Sequence, residues 1–435
     1  MRRDRRDFLK LCGLTGLGVA VPLRFPLAPG AEARNAPYQG PYYVVINAEG
    51  GWDTTHLMDP KGANGINRLF REGDILTRGA HRYAPTARHI QGGLSNEDFY
   101  TEFGNELLAF NGLDYSVNNH APGARYMATG KLDSLAYPTF AALVAACQGQ
   151  ACPLSFLTFG GYSATGNLVA MARVPYLPSL RSLANADAVD GNERSAYHDR
   201  FALDRIERTL EANLQTRSAP PRLPRAERAE NMLFAAQANS LSLARVTPHL
   251  SRDIPRERLA QHAEIALASF KAGVCVSANL NIAGFDSHDD NDNKQMRLIP
   301  ELLAGVAYLI RRAESLKIRD RLVVIVQSEM GRTPDYRRGT GKDHWSVGSV
   351  MFLGRGIKGN RVIGATDEKL FGVPLNPQTL ACDKDKCIRV RPEQVHAALR
   401  ELAGIADHAF SRRFPLGPGS LALPENEKLQ GLWGT

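Results

Sequence analysis

No run of about 18 consecutive apolar residues occurs in this chain, so no segment reads as a membrane-spanning helix. Internal repeats and low-complexity tracts are also missing, and 435 residues of ordinary globular composition are ample for a sizeable core. Lys and Arg never run together with interleaved aromatics, which removes the footprint of a nucleic-acid binder. There is no Gly-x-Ser-x-Gly elbow and no glycine-rich phosphate loop closing on Lys, so neither a nucleophile-elbow hydrolase nor a P-loop enzyme is expected. Cysteine is scarce, with six in the whole chain.

The amino terminus carries a signature of its own. Asp4 to Lys10 read DRRDFLK, followed by the mildly apolar LCGLTGLGVAVPL and by Ala31-Glu32-Ala33, a small-residue cleavage pattern. Arg5 and Arg6 ahead of Phe8, Leu9 and Lys10 resemble a twin-arginine export signal. Residues 1–33 are therefore expected to be a signal peptide that engages the twin-arginine export machinery, leaving a periplasmic or otherwise exported protein. A basic amphipathic amino terminus is the plainer alternative. The segment holds six Lys/Arg against three Asp/Glu, which leaves +5 of the formal +8 for the rest, modest and dispersed. In an oxidising compartment the pairs Cys147–Cys152 and Cys382–Cys387 are expected to close small disulfide loops, with a zinc site built from both pairs as the rival. Cys275, inside VCVSANLNI, reads as a small buried hydrophobe.

Beyond the signal, strands and helices alternate. Tyr42 to Ile46 read as a strand broken at Gly50-Gly51, and ELLAFNGLD as a second strand, followed by a helix opening near His120 to Gly123. PTFAALVAACQ reads as a helix, and LSFLTFGG, VCVSANLNI, RLVVIVQSE and SVGSVMFLG as strands. IPELLAGVAYLIRRAES places Leu302, Val306, Leu309 and Ile310 at helical spacing. The span 187–271 is helical and charged, interrupted by SAPPRLPRAE, and is expected to form a helical insertion or lid within one domain covering 38–425. The alternation predicts an α/β fold with a mostly parallel sheet and helices on both faces, in which ligands gather beyond the carboxyl ends of the strands.

The chemically interesting residues fall in those loops. Asp53 follows the first strand, His120 the second, Asp286 and His288 the strand after the helical span, and Glu329 the next; Asp343 and His344 share the Glu329 loop. Carboxylates and imidazoles gathered this way suit a divalent metal such as zinc, manganese or iron. Asp286 and His288, two apart, leave the same side of an extended segment, and His344 is expected inward with Asp343 supporting it or facing a second ion. For DSHDDNDN alone, a solvated acidic loop is the plainer reading. DDNDNKQMRLIPE fails as a calcium loop because Lys294 and Gln295 stand at its fifth and sixth positions. GRGIKG matches a dinucleotide fingerprint in letters only, since NRVIGATDE follows and not a helix; it reads as a turn between strands.

GGWDTT, NNHAPGARYMATG, GFDSH, VIVQSEMGRTP and GKDHWSVGSVMFLG, in this order, resemble the DUF1501 family, a bacterial family of unknown function in the alkaline-phosphatase-like superfamily. The similarity runs from about Tyr42 to about Gly404. It implies a three-layer α/β sandwich whose superfamily members bind two metals and transfer phosphoryl or sulfuryl groups. The superfamily's first-strand Asp falls on Asp53, its Asp-to-His segment on Asp286 and His288, and its later His on His344. Its strand-end Asp-His pair falls on Ser328-Glu329, so Glu329 stands in for a histidine. Superfamily enzymes open the helix after the second strand with a nucleophilic Ser or Thr; here Asn118-Asn119-His120 stand there, and Thr129 lies about two turns further in.

The expected function is thus that of an exported hydrolase, phosphoesterase or sulfatase-like, acting on a small-molecule or polymer ester with one or two divalent ions. Asp53, Asp286, His288, Glu329, Asp343 and His344 are its expected metal ligands. His120 is expected to take part in the chemistry, and Arg125 and Arg332 to hold the anionic group. The alternative is a non-catalytic envelope protein, binding or structural, that keeps the fold and a structural metal.

Overall fold

In the computed structural model, residues 38–62, 65–88, 90–173, 198–215, 245–253, 255–337, 339–382 and 387–434 are described. The expected signal peptide, and residues 187–197, 216–244 and 254 of the expected insertion, lie outside them.

Strand Tyr42–Glu49 shows how the layers arise. Its period-two alternation sends Tyr42, Val44 and Ile46 into one apolar cluster and Tyr43 and Val45 into another on the opposite face. Leu322–Gln327 does the same, with Val324 and Val326 on the first face and Val323 and Ile325 on the second. Each face is covered by helices. Asn96–Phe103, Arg258–Lys271 and Asn291–Ser315 feed the first cluster; Phe140–Gln148 and Pro392–Leu402 feed the second. The result is a three-layer α/β sandwich.

The eight strands of the central sheet lie in the order Arg361–Ile363, Leu108–Asp114, Val347–Gly354, Leu322–Gln327, Tyr42–Glu49, Ser277–Ala283, Phe156–Thr158, Met171–Arg173. All pairings are parallel except the two made by Val347–Gly354. That reversal matters for the site. The amino end of the reversed strand sits at the edge where its neighbours end, with Val347 paired to Asp114. The hairpin of Gly331–Arg337 and Gly341–Trp345 is therefore delivered to the carboxyl edge of the parallel strands.

Two expectations need amending. Helix Arg258–Lys271, at the end of the span read as an insertion or lid, belongs to the body, with Ile265, Leu267 and Phe270 buried in the first cluster. The disulfide Cys147–Cys152 is not formed, and Cys382 is an exposed thiol. The helix ending at Gln148 turns the Cys147 sulfur to His408 Nδ1 at 3.3 Å, while Cys152 Sγ points to the Gly273 carbonyl. GRGIKG is a turn between strands, as read, and helix Asn291–Ser315 starts where a calcium loop would need to continue. No helix among the described residues is long and apolar enough to cross a membrane.

Candidate metal centre

Two glycines open the site. Gly50 and Gly51, at φ 118° and 87°, end the first strand in a conformation that side chains rarely adopt. A Cβ on Gly50 would also meet the Asp286 backbone nitrogen at 2.3 Å. This tight turn brings Gly50 N–H to Glu329 Oε1 at 2.7 Å and places both glycine carbonyls on the buried guanidinium of Arg332. Gly123 acts similarly, since a Cβ there would lie 2.5 Å from the Glu329 carbonyl oxygen. Helix His120–Thr129 can consequently lie against the Glu329 strand end and present His120 there.

Around Asp286 three imidazoles converge from three strand ends. Its Oδ1 lies 3.1 Å from His288 Nε2 and 3.6 Å from His344 Nε2; its Oδ2 lies 3.5 Å from His120 Nε2. His288 Nε2 and His344 Nε2 are 3.0 Å apart. Among the described residues, His120, Asp286 and His344 offer ligand atoms within 4.8 Å of one another, and so do His288, Asp343 and His344.

The far nitrogens fix the tautomers. His344 Nδ1 sits 2.9 Å from the Asn118 carbonyl, which can only accept, so Nδ1 carries the proton and Nε2 turns a lone pair to the cluster. His120 Nδ1 donates to Glu329 Oε1 at 2.9 Å, and because that bond favours the protonated ring, its Nε2 is the nitrogen left to hold or give up a proton. His288 Nδ1 faces Asp343 Oδ1 at 3.5 Å. Ligands at metal–nitrogen distances near 2.1 Å lie about 3.4 Å apart around a tetrahedral ion. The set Asp286 Oδ1, His288 Nε2 and His344 Nε2, spaced 3.0 to 3.6 Å, fits that spacing, and bare imidazole nitrogens beside a carboxylate are suitable chemistry for it.

Charge is arranged to match. Burial alone would push the Asp286 carboxyl up, but the hydrogen bond and charge of Arg332, with His288 and His120, hold it below its ordinary value. His120 is raised, first by its hydrogen bond to Glu329. His344 is lowered by burial, and by Arg332 and the other imidazoles. Asp343 is lowered chiefly by the His344 backbone N–H it accepts.

Not every residue singled out in the sequence joins the cluster. Asp53 is buried beneath it, with its carboxylate on Lys342, Thr55 and Asn291. Glu329 stands behind the cluster, its Oε1 accepting from Gly50 N–H at 2.7 Å and lying 2.9 Å from His120 Nδ1. Asp343 supports His288 and His344 from behind. Arg332, with a side chain 0% exposed, donates to the Gly50, Gly51 and Lys342 carbonyls and pairs with Asp286 Oδ1 at 2.8 Å, so it positions Asp286. Arg125 Nε donates to the Leu132 carbonyl after its own helix. Lys342, His56, Asn291 and the Asn118 carbonyl also belong to this site, and of these only Lys342, set directly before Asp343-His344, carries a signal in the sequence.

The profile of a family described as "Protein of unknown function (DUF1501)" matches residues 43–410. No curated protein matches the sequence significantly. Among solved structures, the PsFucS1 sulfatase from Pseudoalteromonas sp. is 10% identical, the match covering 90% of this chain and 73% of that one at a TM-score of 0.39. A variant of TAB5 alkaline phosphatase is 9% identical over 85% of this chain and 99% of that one, at a TM-score of 0.35. The lipoteichoic acid synthase LtaP from Listeria monocytogenes is 9% identical over 82% and 74%, at 0.33. Likenesses this slight do not bear on the chemistry of the site.

Proposed function

We propose that this chain, which belongs to the DUF1501 family, is an exported, divalent-metal-dependent hydrolase of phosphate or sulfate esters. The observation that carries the reading is the convergence of His120, His288 and His344 Nε2 on one carboxylate, with two of the three Nδ1 atoms committed elsewhere. Asp286, His288 and His344 would hold the ion. When bound, it would supply Lewis acidity, drawing charge from an ester oxygen and acidifying water.

The chain's own groups divide the remaining work. His120 is 41% exposed at its side chain and holds its proton longer because of Glu329, so it is placed to protonate a leaving oxygen. It stands on the first turn of a helix whose cap, Asn119, makes no side-chain hydrogen bond, so the free N–H groups there favour an anionic ester. Arg332 keeps Asp286 ionised and fixed. Ser and Thr are absent from positions 118–120, and the reading therefore assigns the attack to water. Export rests on Arg5-Arg6 and the segment after it.

The test loads chelator-stripped mature protein with zinc, manganese or iron(II), and measures hydrolysis of aryl phosphate, phosphodiester and sulfate esters. Metal-dependent turnover that disappears in His120→Ala is expected. Stoichiometric metal with no turnover of any ester would move the assignment to a non-catalytic envelope protein with a structural ion.

A further inference from the structure

A second group of ionisable side chains lies beneath the imidazole cluster, shut off from water. Asp53, 1% exposed, uses both oxygens twice. Oδ1 accepts from the Thr55 backbone N–H at 3.2 Å and from its hydroxyl at 2.6 Å; Oδ2 accepts from Asn291 Nδ2 at 2.9 Å and from Lys342 Nζ at 2.7 Å. His56 Nε2 stands 3.5 Å from Asp53 Oδ2 and 3.6 Å from Asp292 Oδ1, and that Asp292 oxygen also accepts from the Tyr336 hydroxyl at 2.7 Å. The Lys342 side chain is 0% exposed and its ammonium lies 5.0 Å from the Tyr336 ring centroid.

A lysine buried this completely is rare unless paired, and its retention calls for a reason. Asp53 and Asp292 each turn a carboxylate oxygen to His56 Nε2, and carboxylates with an imidazole are the donor types of a hard or borderline divalent ion. The two spacings from His56 Nε2, 3.5 and 3.6 Å, are close to the separation of about 3.4 Å between neighbouring ligands of such an ion. The positive charge at this place belongs to the chain itself. We propose that Lys342 is a tethered cation filling a second cation site made by Asp53, His56 and Asp292, so that the protein carries one exchangeable divalent ion. The count of one rests on the metal centre proposed at Asp286; the lower site stands on its own geometry.

The position of Lys342 shows what the tether does. It directly precedes Asp343 and His344, and the hairpin register shifts between Lys342 and His344, so the ammonium goes down to Asp53 while the imidazole goes up to Asp286. The Lys342 carbonyl also accepts from Arg332 Nη1 at 3.2 Å. One ion pair thus pins the strand Gly341–Trp345 at the point where it delivers His344. A dissociable ion would do so only while bound.

Lys342→Ala tests this. Calorimetric titration with Mn²⁺ and Zn²⁺, with metal analysis after dialysis, should find one ion in the wild type and one more in Lys342→Ala. Adding Asp53→Asn to that variant should remove the extra ion. Where Lys342→Ala fails to fold without metal, Mn²⁺ should raise its Tm in a concentration-dependent way beyond the wild-type response, and Asp53→Asn should abolish the difference. Two ions in the wild type would overturn the proposal, as would a Lys342→Ala protein that gains neither an ion nor metal-dependent stability. A wild type without any ion beside a Lys342→Ala protein with one would sink the reading of the upper centre and support the lower site.

Discussion

His288 Nε2 and His344 Nε2 face each other at 3.0 Å, although one follows the strand Ser277–Ala283 and the other precedes the reversed strand Val347–Gly354. Two imidazolium charges at that distance would repel strongly, so the pair is stable when at least one ring is neutral or a cation sits between them. Asp286→Ala and His344→Ala should each abolish measurable ion binding in competition with a chromophoric chelator. Asp343→Asn acts only through its neighbours and should weaken affinity on the order of 10–100-fold. Wild-type affinity in all three would remove the centre.

The pair His120–Glu329 makes a separate prediction. Glu329, 6% exposed, holds His120 Nδ1 at 2.9 Å and is itself held by Gly50 N–H. His120→Ala and Glu329→Gln should each lower kcat on the order of 10²–10⁴-fold while ion content stays at the wild-type level. A fall in KM alone, or kcat unchanged in both, would remove His120 from the chemistry.

Much of this centre was legible because a parallel sheet collects its loops at one edge, and strand patterns such as Leu322–Gln327 mark where each loop begins. Asp286 and His288 stood out by following a strand, as Asp53, His120 and Glu329 also do, whereas DSHDDNDN alone reads as a solvated acidic loop. What the sequence withheld was direction. Asp53 follows Gly50-Gly51, whose positive φ values turn the chain inward, and the carboxylate ends on Lys342. Arg332 showed its charge but not its burial beneath that turn, and Arg125 showed nothing of its bond to Leu132. The Asn118 carbonyl, which sets the His344 tautomer, is a backbone group that no side-chain pattern reveals.

Gly341 is the tightest approach in the site. A Cβ there would fall 1.6 Å from the His288 carbonyl oxygen, so backbone must move. Gly341→Ala should destabilise the fold by about 1–3 kcal/mol in urea titration, and should also weaken ion binding by displacing His344. Gly339→Ala, where nothing lies within 4 Å, serves as the control; its φ of 85° makes it mildly strained but leaves the ligands in place.

The unbridged cysteines predict indifference to reductant. Cys147 and Cys152 point apart, to His408 and to the Gly273 carbonyl. Dithiothreitol should leave Tm unchanged, and alkylation in denaturant without reductant should label both. A drop of several degrees on reduction would mean that the disulfide first expected from the spacing exists.

The last prediction concerns acid stability. His396, buried between sheet and helices with Nε2 on the Met127 carbonyl, is lowered to about 4, mainly by burial. His262, stacked on Phe159 at 4.7 Å, is lowered to about 4 for the same reason. A histidine whose folded pKa is depressed stabilises the native state above its unfolded pKa near 6.5, where both states are neutral. As pH falls from there towards about 4 the unfolded chain takes up protons that the folded chain refuses, so stability declines. Each group contributes at most about 3.4 kcal/mol of that loss, at 1.36 kcal/mol per pH unit, and below about 4 the slope ends. Chemical denaturation between pH 7 and 4.5 should therefore show the wild type falling steadily. His396→Asn should be less stable at pH 7 yet lose less on acidification, because the group that titrates in the unfolded state is gone. Parallel slopes for the two proteins would show that His396 takes up its proton in the folded state as readily as in the unfolded one.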